Sequence, residues 1–161
     1  MAANSRKNRS ADLNNKGEID MARTKYGKYF TTEVVRGDPR NSGAQVTSTR
    51  HLEKWGGHEL SIDAIYINRP HLMISQPHQH GFAQYLSFFS ANPKDARDFD
   101  AEIEVSLGEE QEKHIINSPT ALYIPAGLHH GPLNFVRVTR PVLFIDTAVT
   151  GQYTRVGNTP D

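Results

Sequence analysis

The feature that most constrains the fold is a series of short apolar or alternating runs separated by turn residues, which begins near residue 28. Alternation with a period of two places successive side chains on opposite faces of a strand. Apolar residues at helical spacing are hardly seen outside the segment RHLEKWGG, residues 50–57, which we expect to form a short turn or helix. With turn signals about every 8–12 residues, the pattern predicts an all-β domain with roughly nine or ten strands, arranged as a sandwich or barrel.

The predicted strands follow one another closely along the chain. Pro, Gly, Asn and Ser interrupt the runs where turns are expected, and the polar segment 90–100 is predicted to be a long rim loop. The strand candidates are GKYFTTEVV (27–35), AQVTST (44–49), LSIDAIYIN (60–68), HLMIS (71–75), QYLSFF (84–89), EIEVSL (102–107), KHIIN (113–117), ALYIP (121–125), PLNFVRV (132–138) and PVLFIDTAV (141–149).

Length and composition narrow the classes of function. A chain of 161 residues is the size of one ordinary domain. Residues 1–22 are polar and contain no aromatic side chain, so we predict a disordered N-terminal arm followed by a single domain over residues 23–161. A formal net charge of zero gives no general attraction to nucleic acid or to an anionic membrane. We expect neither as a partner, and a small-molecule substrate instead.

The absence of cysteine excludes disulfides, thiolate nucleophiles and sulfur-ligated metals. Any metal must therefore be held by nitrogen and oxygen. The N-terminus has no apolar signal region, and no apolar stretch is long enough to span a membrane. The sequence predicts a cytoplasmic protein.

Two of the eight histidines stand one residue apart in the segment PHQHGFAQYL, residues 77–86. A period of two places His78 and His80 on one face of a strand, where a single ion could accept both imidazoles. The other histidines without a partner at useful spacing are expected to be structural or at the surface; these are His51, His58, His71 and His114.

A second element, YIPAGLHHGPLNF, lies about fifty residues further on, at residues 123–135. Gly127 permits a tight turn with positive φ, and such a turn can direct a following histidine back toward the first pair. Three neutral imidazoles from two strands would then form a site that is open on one side.

Together these segments resemble the two motifs of the cupin superfamily. The second motif matches at Pro125, Gly127, His130 and Asn134, and the first matches at His78 and His80. Gln84 stands where the family has a glutamate ligand, and the loop at residues 90–100 replaces a glycine that usually follows. The resemblance covers about residues 60–150.

The resemblance implies a single-domain jelly-roll β-barrel, commonly a homodimer, with a divalent metal in its mouth. The implied ligands are His78, His80 and His130, with Gln84 in the fourth place and His129 as the rival of His130. Phe82, Tyr85, Phe88, Phe89, Tyr123 and Phe144 would fill the barrel and shape a pocket.

The glutamine has consequences for reactivity. A neutral amide leaves the charge of a dication uncancelled, so an anionic substrate that chelates through two oxygens is favoured. The leading hypothesis is a non-haem Fe(II) dioxygenase, for which cupins with three histidines that cleave β-diketone-like substrates are the family precedent. Manganese, nickel, copper and zinc also accept such ligands.

Two alternatives stay open. One is a metal-dependent isomerase or lyase that needs no oxygen, and the other is a binding module without catalysis. For proton transfer, the candidate residues are Glu104, on the polar face of its predicted strand, and Tyr123, with Tyr66 as a further hydroxyl that could reach the cavity.

Overall fold

The computed structural model describes residues 24–32, 34–37, 45–50 and 59–156. The chain divides into two compact units, Met1–Val34 and Val35–Asp161. The predicted arm, residues 1–22, and most of the RHLEKWGG segment lie outside the described residues. No helix in the described ranges is long and apolar enough to cross a membrane.

In the first unit, the described residues contain a 3-10 helix, Gly27–Tyr29. The amide of Tyr29 donates to the carbonyl of Tyr26, and the amide of Phe30 donates to that of Gly27. Among the described residues of the strand predicted over residues 27–35, only Val35 is in a strand. That prediction was wrong for Gly27–Tyr29, where the backbone forms a 3-10 turn with local hydrogen bonds.

Ten strands are found in the described part of the second unit. Apart from the first, they coincide with the predicted runs to within two residues at either end, as expected where period-two alternation is strong. Their bounds are β1 Val35–Gly37, β2 Gln45–Ser48, β3 Ser61–Ile67, β4 His71–Ile74, β5 Gln84–Ser90, β6 Ala101–Leu107, β7 Glu112–Ile116, β8 Thr120–Ile124, β9 His130–Val138 and β10 Val142–Ala148.

The strands form two antiparallel sheets. The larger sheet has the order β1-β2-β3-β10-β5-β8, and the smaller has the order β4-β9-β6-β7. Neighbours in each sheet are mostly distant in sequence, which is the connectivity of a jelly roll and not of a meander. The predicted fold class, all-β with a jelly-roll architecture, is confirmed.

The core lies between the inner faces of the two sheets. Its centre is a cluster of three aromatic rings, with Phe88 at 5.3 Å from Phe144 and 6.1 Å from Phe135 between ring centroids. All three side chains are buried. Aromatic pairs at such distances contribute to stability beyond the apolar area that they bury.

Several aromatic residues predicted to fill the barrel lie on its outside instead. On β5 the inward positions are taken by Gln84, Leu86 and Phe88, so Tyr85 and Phe89 point outward and are exposed. Tyr123 is also exposed, and its ring lies against that of Tyr85 with centroids 5.0 Å apart. The prediction failed because strict alternation puts neighbouring residues on opposite faces.

Candidate metal centre

The two histidine motifs are joined through their backbones. The amide of His78 donates to the carbonyl of His130 at 3.0 Å, and the amide of His130 donates back to His78 at 2.8 Å. Three residues before His130, the amide of Gly127 donates to the carbonyl of His80 at 2.8 Å. Gly127 has φ of +82°, a conformation that glycine adopts without strain. The predicted turn thus directs the second motif onto the first.

This pairing brings three imidazoles together. In His78, His80 and His130 the candidate ligand atoms all lie within 4.8 Å of one another. The ring centroid of His78 is 4.4 Å from that of His130 and 4.9 Å from that of His80. The cluster includes His130, which the motif spacing favoured, and does not include His129.

Backbone carbonyls orient all three rings. Nδ1 of His78 lies 3.3 Å from the carbonyl oxygen of Gln76. Nδ1 of His80 lies 2.6 Å from the carbonyl oxygen of Thr154, and Nδ1 of His130 lies 3.0 Å from that of Leu128. Since a carbonyl oxygen can only accept, each Nδ1 carries the hydrogen and each Nε2 keeps its lone pair. A donated Nδ1–H is the usual support of a metal-ligating histidine.

The imidazoles are also held in the neutral form that binds metal. Burial lowers the pKa of His78 to about 4, helped by the charges of His130 and Arg155. Burial likewise lowers the pKa of His80 to about 4, against the hydrogen bond that its ring donates to the Thr154 carbonyl, which raises the pKa. The pKa of His130 is lowered chiefly by burial as well. At neutral pH all three are therefore ready to act as ligands.

Gln84 begins β5 with its side chain directed inward and only 1% of its surface exposed. Its Nε2 donates to both carboxylate oxygens of Asp146, at 3.1 and 3.3 Å, and to the hydroxyl of Tyr153 at 2.8 Å. Its Oε1 is buried and has no hydrogen-bond partner among the described residues. A buried acceptor without a partner is costly unless something else satisfies it.

The donor set fits a divalent transition metal. Three imidazole nitrogens and one amide oxygen are ligands that iron, manganese, nickel, copper and zinc all accept, and a metal would satisfy the unpaired Oε1 of Gln84. The residues that would hold it are those predicted: His78, His80, His130 and Gln84. The donor types do not select one metal among these.

A segment after β10, residues 151–156, closes one side of the site; we call it the C-terminal strap. The amide of Val156 donates to the carbonyl of Gln79 at 3.1 Å, and the Thr154 carbonyl orients His80. The hydroxyl of Tyr153 lies 3.2 Å from Nε2 of His80. The ring of Tyr153 packs against Phe82 with centroids 5.3 Å apart.

Behind Gln84 lies a buried group of charges. Arg50 pairs with Asp63 at 2.8 Å and with Asp146 at 3.0 Å, and its guanidinium lies 3.7 Å from the centroid of the Tyr153 ring. Ser48 donates a further hydrogen bond to Asp63. One guanidinium therefore pairs with two carboxylates next to the site.

A small cavity opens beside the histidines. Its polar end is formed by His78, His130, Gln84, Asp146 and Tyr153, and its remaining wall is apolar, with Met73, Ile74, Leu86, Val105, Leu133 and Phe144. A few convergent polar groups at one end of an apolar pocket are typical of sites for small ligands. At about 30 Å³, the cavity has room for the few atoms of an oxygen-rich ligand head beside these polar groups.

The two residues predicted to be catalytic are placed elsewhere. Glu104 pairs with Lys113 at 3.1 Å on the solvent side of β6, because Ile103 and Val105 take the inward positions. Tyr123 is 53% exposed on the outer side of β8, and Tyr66 is exposed on β3. None of them lines the cavity.

Tyr153 and Asp146 are the site residues that sequence reasoning missed. Asp146 had a signal, since it is a carboxylate in the middle of the apolar run PVLFIDTAV, and Asp63 had the same signal in LSIDAIYIN. A charge at an inward strand position is seldom kept without a partner. Tyr153 lies in a loop without periodicity, and no pattern distinguished it.

Comparison with solved structures identifies the architecture. The chain matches an oxalate oxidase in complex with the substrate analogue glycolate, at 15% identity over 84% of this chain and a TM-score of 0.52. It also matches Peruvianin-I, described as a cysteine peptidase from Thevetia peruviana latex, at 13% identity over 87% of this chain and 83% of that chain, with a TM-score of 0.53. The fold is that of a cupin.

At this level of identity the likeness concerns the fold alone. The chain has no cysteine, so it offers no side chain for the cysteine-peptidase activity named for Peruvianin-I. It spans 66% of the oxalate oxidase chain and 30% of an oxalate decarboxylase chain that it matches at 9% identity and a TM-score of 0.49. No protein-family profile and no curated protein matches the sequence.

Proposed function

We propose that this cupin is a metal-dependent oxygenase, with Fe(II) held by three histidines, that acts on a small anion able to chelate through two oxygens. The observation that carries the proposal is the convergence of three neutral imidazoles whose candidate ligand atoms lie within 4.8 Å of one another. A bound divalent metal would supply Lewis acidity toward such an anion and, as Fe(II), redox chemistry with dioxygen.

The charges around the site support an anionic substrate. The ligands offered by the chain are neutral, so the charge of a dication would be left for the substrate to balance. The positive charge of Arg155 in the C-terminal strap acts on all three histidines, where it contributes to their lowered pKa values. The polar end of the cavity would hold the chelating oxygens.

A second candidate function is a metal-dependent isomerase or lyase that needs no oxygen. Tyr153 favours it, because its hydroxyl lies 3.2 Å from Nε2 of His80 and also lines the cavity. A hydroxyl at that place can hold or pass a proton to a substrate oxygen, which is the role for which the sequence had suggested Glu104 or Tyr123.

The test begins with metal-free protein reconstituted separately with Fe(II), Mn(II), Ni(II), Cu(II) and Zn(II) under argon. Each form is then given β-diketones and α-hydroxy carboxylates, with and without dioxygen, while oxygen uptake and substrate loss are followed. Oxygen uptake that matches substrate loss and needs Fe(II) supports the oxygenase. Turnover that is equal without oxygen supports the isomerase or lyase, and failure to bind any metal overturns both.

An exposed apolar surface supports the homodimer that the sequence predicts. The outward positions of β3, β10, β5 and β8 carry no charged side chain, and five large apolar residues there are exposed: Ile62, Tyr66, Tyr85, Phe89 and Tyr123. Exposed apolar patches of this kind mark interaction sites. We propose that a second copy of the chain covers this face, since an uncharged patch can face itself without repulsion, as a two-fold interface requires.

A further inference from the structure

The orientation of the Gln84 amide follows from its neighbours. Both oxygens of the Asp146 carboxylate lie within 3.3 Å of Nε2, and an ionised carboxylate can only accept hydrogen bonds. If the amide were rotated by half a turn, its oxygen would face the carboxylate oxygens with no hydrogen between them. The nitrogen is therefore held on the side of Asp146, and the oxygen is left as the atom available to a ligand.

Asp146 is itself held in place from the other side. It is 6% exposed on β10, beside β5, and it accepts from Arg50 at 3.0 Å. The hydroxyl of Tyr153, 3.4 Å from Asp146 Oδ2, supports the same carboxylate. Gln84 and Asp146 line the same cavity as His78 and His130, so the pair connects Arg50 to the site.

The same contact explains why position 84 holds an amide. A glutamate there would place a second carboxylate against Asp146 at hydrogen-bond distance, within a buried environment where like charges interact strongly. One of the two would have to keep a proton. With glutamine, the N–H groups point to Asp146 and polarise the amide, which makes its oxygen a better donor toward a cation.

We infer that Asp146 is a positioning residue that fixes the Gln84 oxygen toward the three histidines, and that residues 84 and 146 form an exchangeable amide–carboxylate pair. The negative charge that a glutamate at position 84 would bring to the metal is instead carried by Asp146, which lies one side chain further from the metal. The inference rests on the metal site of the proposed function, which it deepens.

The experiment compares the wild type with Gln84→Glu, Asp146→Asn and the double variant, in which the amide and the carboxylate change places. The measurement is the dissociation constant for Co(II), obtained by competition with a chelating indicator, together with the visible spectrum of the bound Co(II). We expect Asp146→Asn to weaken binding about 10-fold or more when residue 84 is glutamine, as loss of an outer hydrogen-bond partner does. The same change should tighten binding by a similar factor when residue 84 is glutamate.

This reversal of sign is the decisive result. If Asp146→Asn changes the affinity by less than threefold in both backgrounds, or in the same direction in both, the inference is overturned. Glu104→Gln is the matched control, because it also converts a carboxylate to an amide but lies on the solvent side of β6, paired with Lys113. It should leave the Co(II) affinity and spectrum unchanged.

A second measurement needs no metal. In the urea unfolding of the four metal-free proteins, Gln84→Glu should lower the midpoint, and Asp146→Asn should raise it again only in the glutamate background. If the wild type binds no metal, the proposed function fails, while these midpoints still decide whether residues 84 and 146 are coupled. Additive midpoints would overturn the inference even if the wild type binds Co(II) tightly.

Discussion

His78 and His130 exchange two backbone hydrogen bonds, at 3.0 and 2.8 Å, although they belong to motifs far apart in the sequence. Their ring centroids are 4.4 Å apart. A pair of hydrogen bonds between the main chains fixes the separation of the two Cα atoms, and the Nδ1 contacts with the Gln76 and Leu128 carbonyls orient the two rings. The candidate metal centre is therefore built on rigid backbone, as precise sites require.

Removal of one imidazole should abolish tight metal binding. We expect His78→Ala and His130→Ala each to weaken binding by more than about 100-fold, the upper end of the effect of losing an outer-shell partner, since a direct ligand is lost. The measurement is metal content by elemental analysis after reconstitution and desalting. His129→Ala is the control, because His129 adjoins His130 but is not in the cluster. Equal metal content in His130→Ala and wild type would contradict the assignment.

The stability of the metal-free protein should fall in mildly acidic solution. The folded state holds His78 and His80 with pKa values of about 4, whereas an unfolded histidine has a pKa near 6.5. Between these values the unfolded chain binds more protons, so lowering the pH favours unfolding. The contribution of these two histidines to the free energy of unfolding should be complete above about pH 6.5. It should decline as the pH falls toward 4 and stay constant at lower pH.

Urea unfolding at a series of pH values measures this effect. His80→Gln retains a polar side chain but cannot take up a proton, so its stability should decline less steeply than that of the wild type between pH 6.5 and 5. Carboxylates titrate mostly below that window, and they affect both proteins alike. Parallel curves for the two proteins would show that burial of His80 does not suppress its protonation.

Tyr153→Phe should separate the role of the hydroxyl from that of the ring. Phenylalanine can keep the packing against Phe82 and the contact with Arg50, but Gln84 loses one of its acceptors. We expect a loss of about 1–2 kcal/mol in stability, and metal content close to that of the wild type. If the reaction is a proton transfer independent of oxygen, kcat should fall about 10²-fold or more.

The matched variant for this prediction is Tyr123→Phe, whose hydroxyl lies on the outer side of the larger sheet. It should leave turnover unchanged. A larger loss of turnover with Tyr123→Phe than with Tyr153→Phe would assign proton transfer to Tyr123, as the sequence suggested, and not to Tyr153.

A charge on the uncharged face should prevent assembly. Tyr85→Lys places an ammonium in the patch of each copy, and in a two-fold interface the two charges would be buried close together. We expect the wild type to sediment as a dimer and Tyr85→Lys as a monomer. Val136→Lys should remain dimeric, because Val136 lies in the smaller sheet, although it is 40% exposed, close to the 47% of Tyr85. A monomeric wild type would refute the assignment of this face.

Most of the fold was predictable because it depends on local alternation and turn chemistry. The strand around Asp146 was read correctly from PVLFIDTAV, and the histidine site was read from the spacing of His78, His80 and His130. The sequence did not show which face of each strand points into the core. The run LSIDAIYIN offers Leu60, Ile62 and Tyr66 on one side and Ile65 and Ile67 on the other, and both sides are apolar.

The sequence by itself determined the all-β class, nine of the ten strands and the three histidines, since period-two patterns and short motifs act over a few residues. Only the tertiary structure decided that Ser61, Asp63, Ile65 and Ile67 face inward, that Glu104 and Tyr123 face outward, and that Asp146 and Tyr153 hold Gln84. Such contacts join strands distant in sequence. They depend on which face each sheet buries and on which residue stands opposite, and neither is recorded in the order of residues along a single strand.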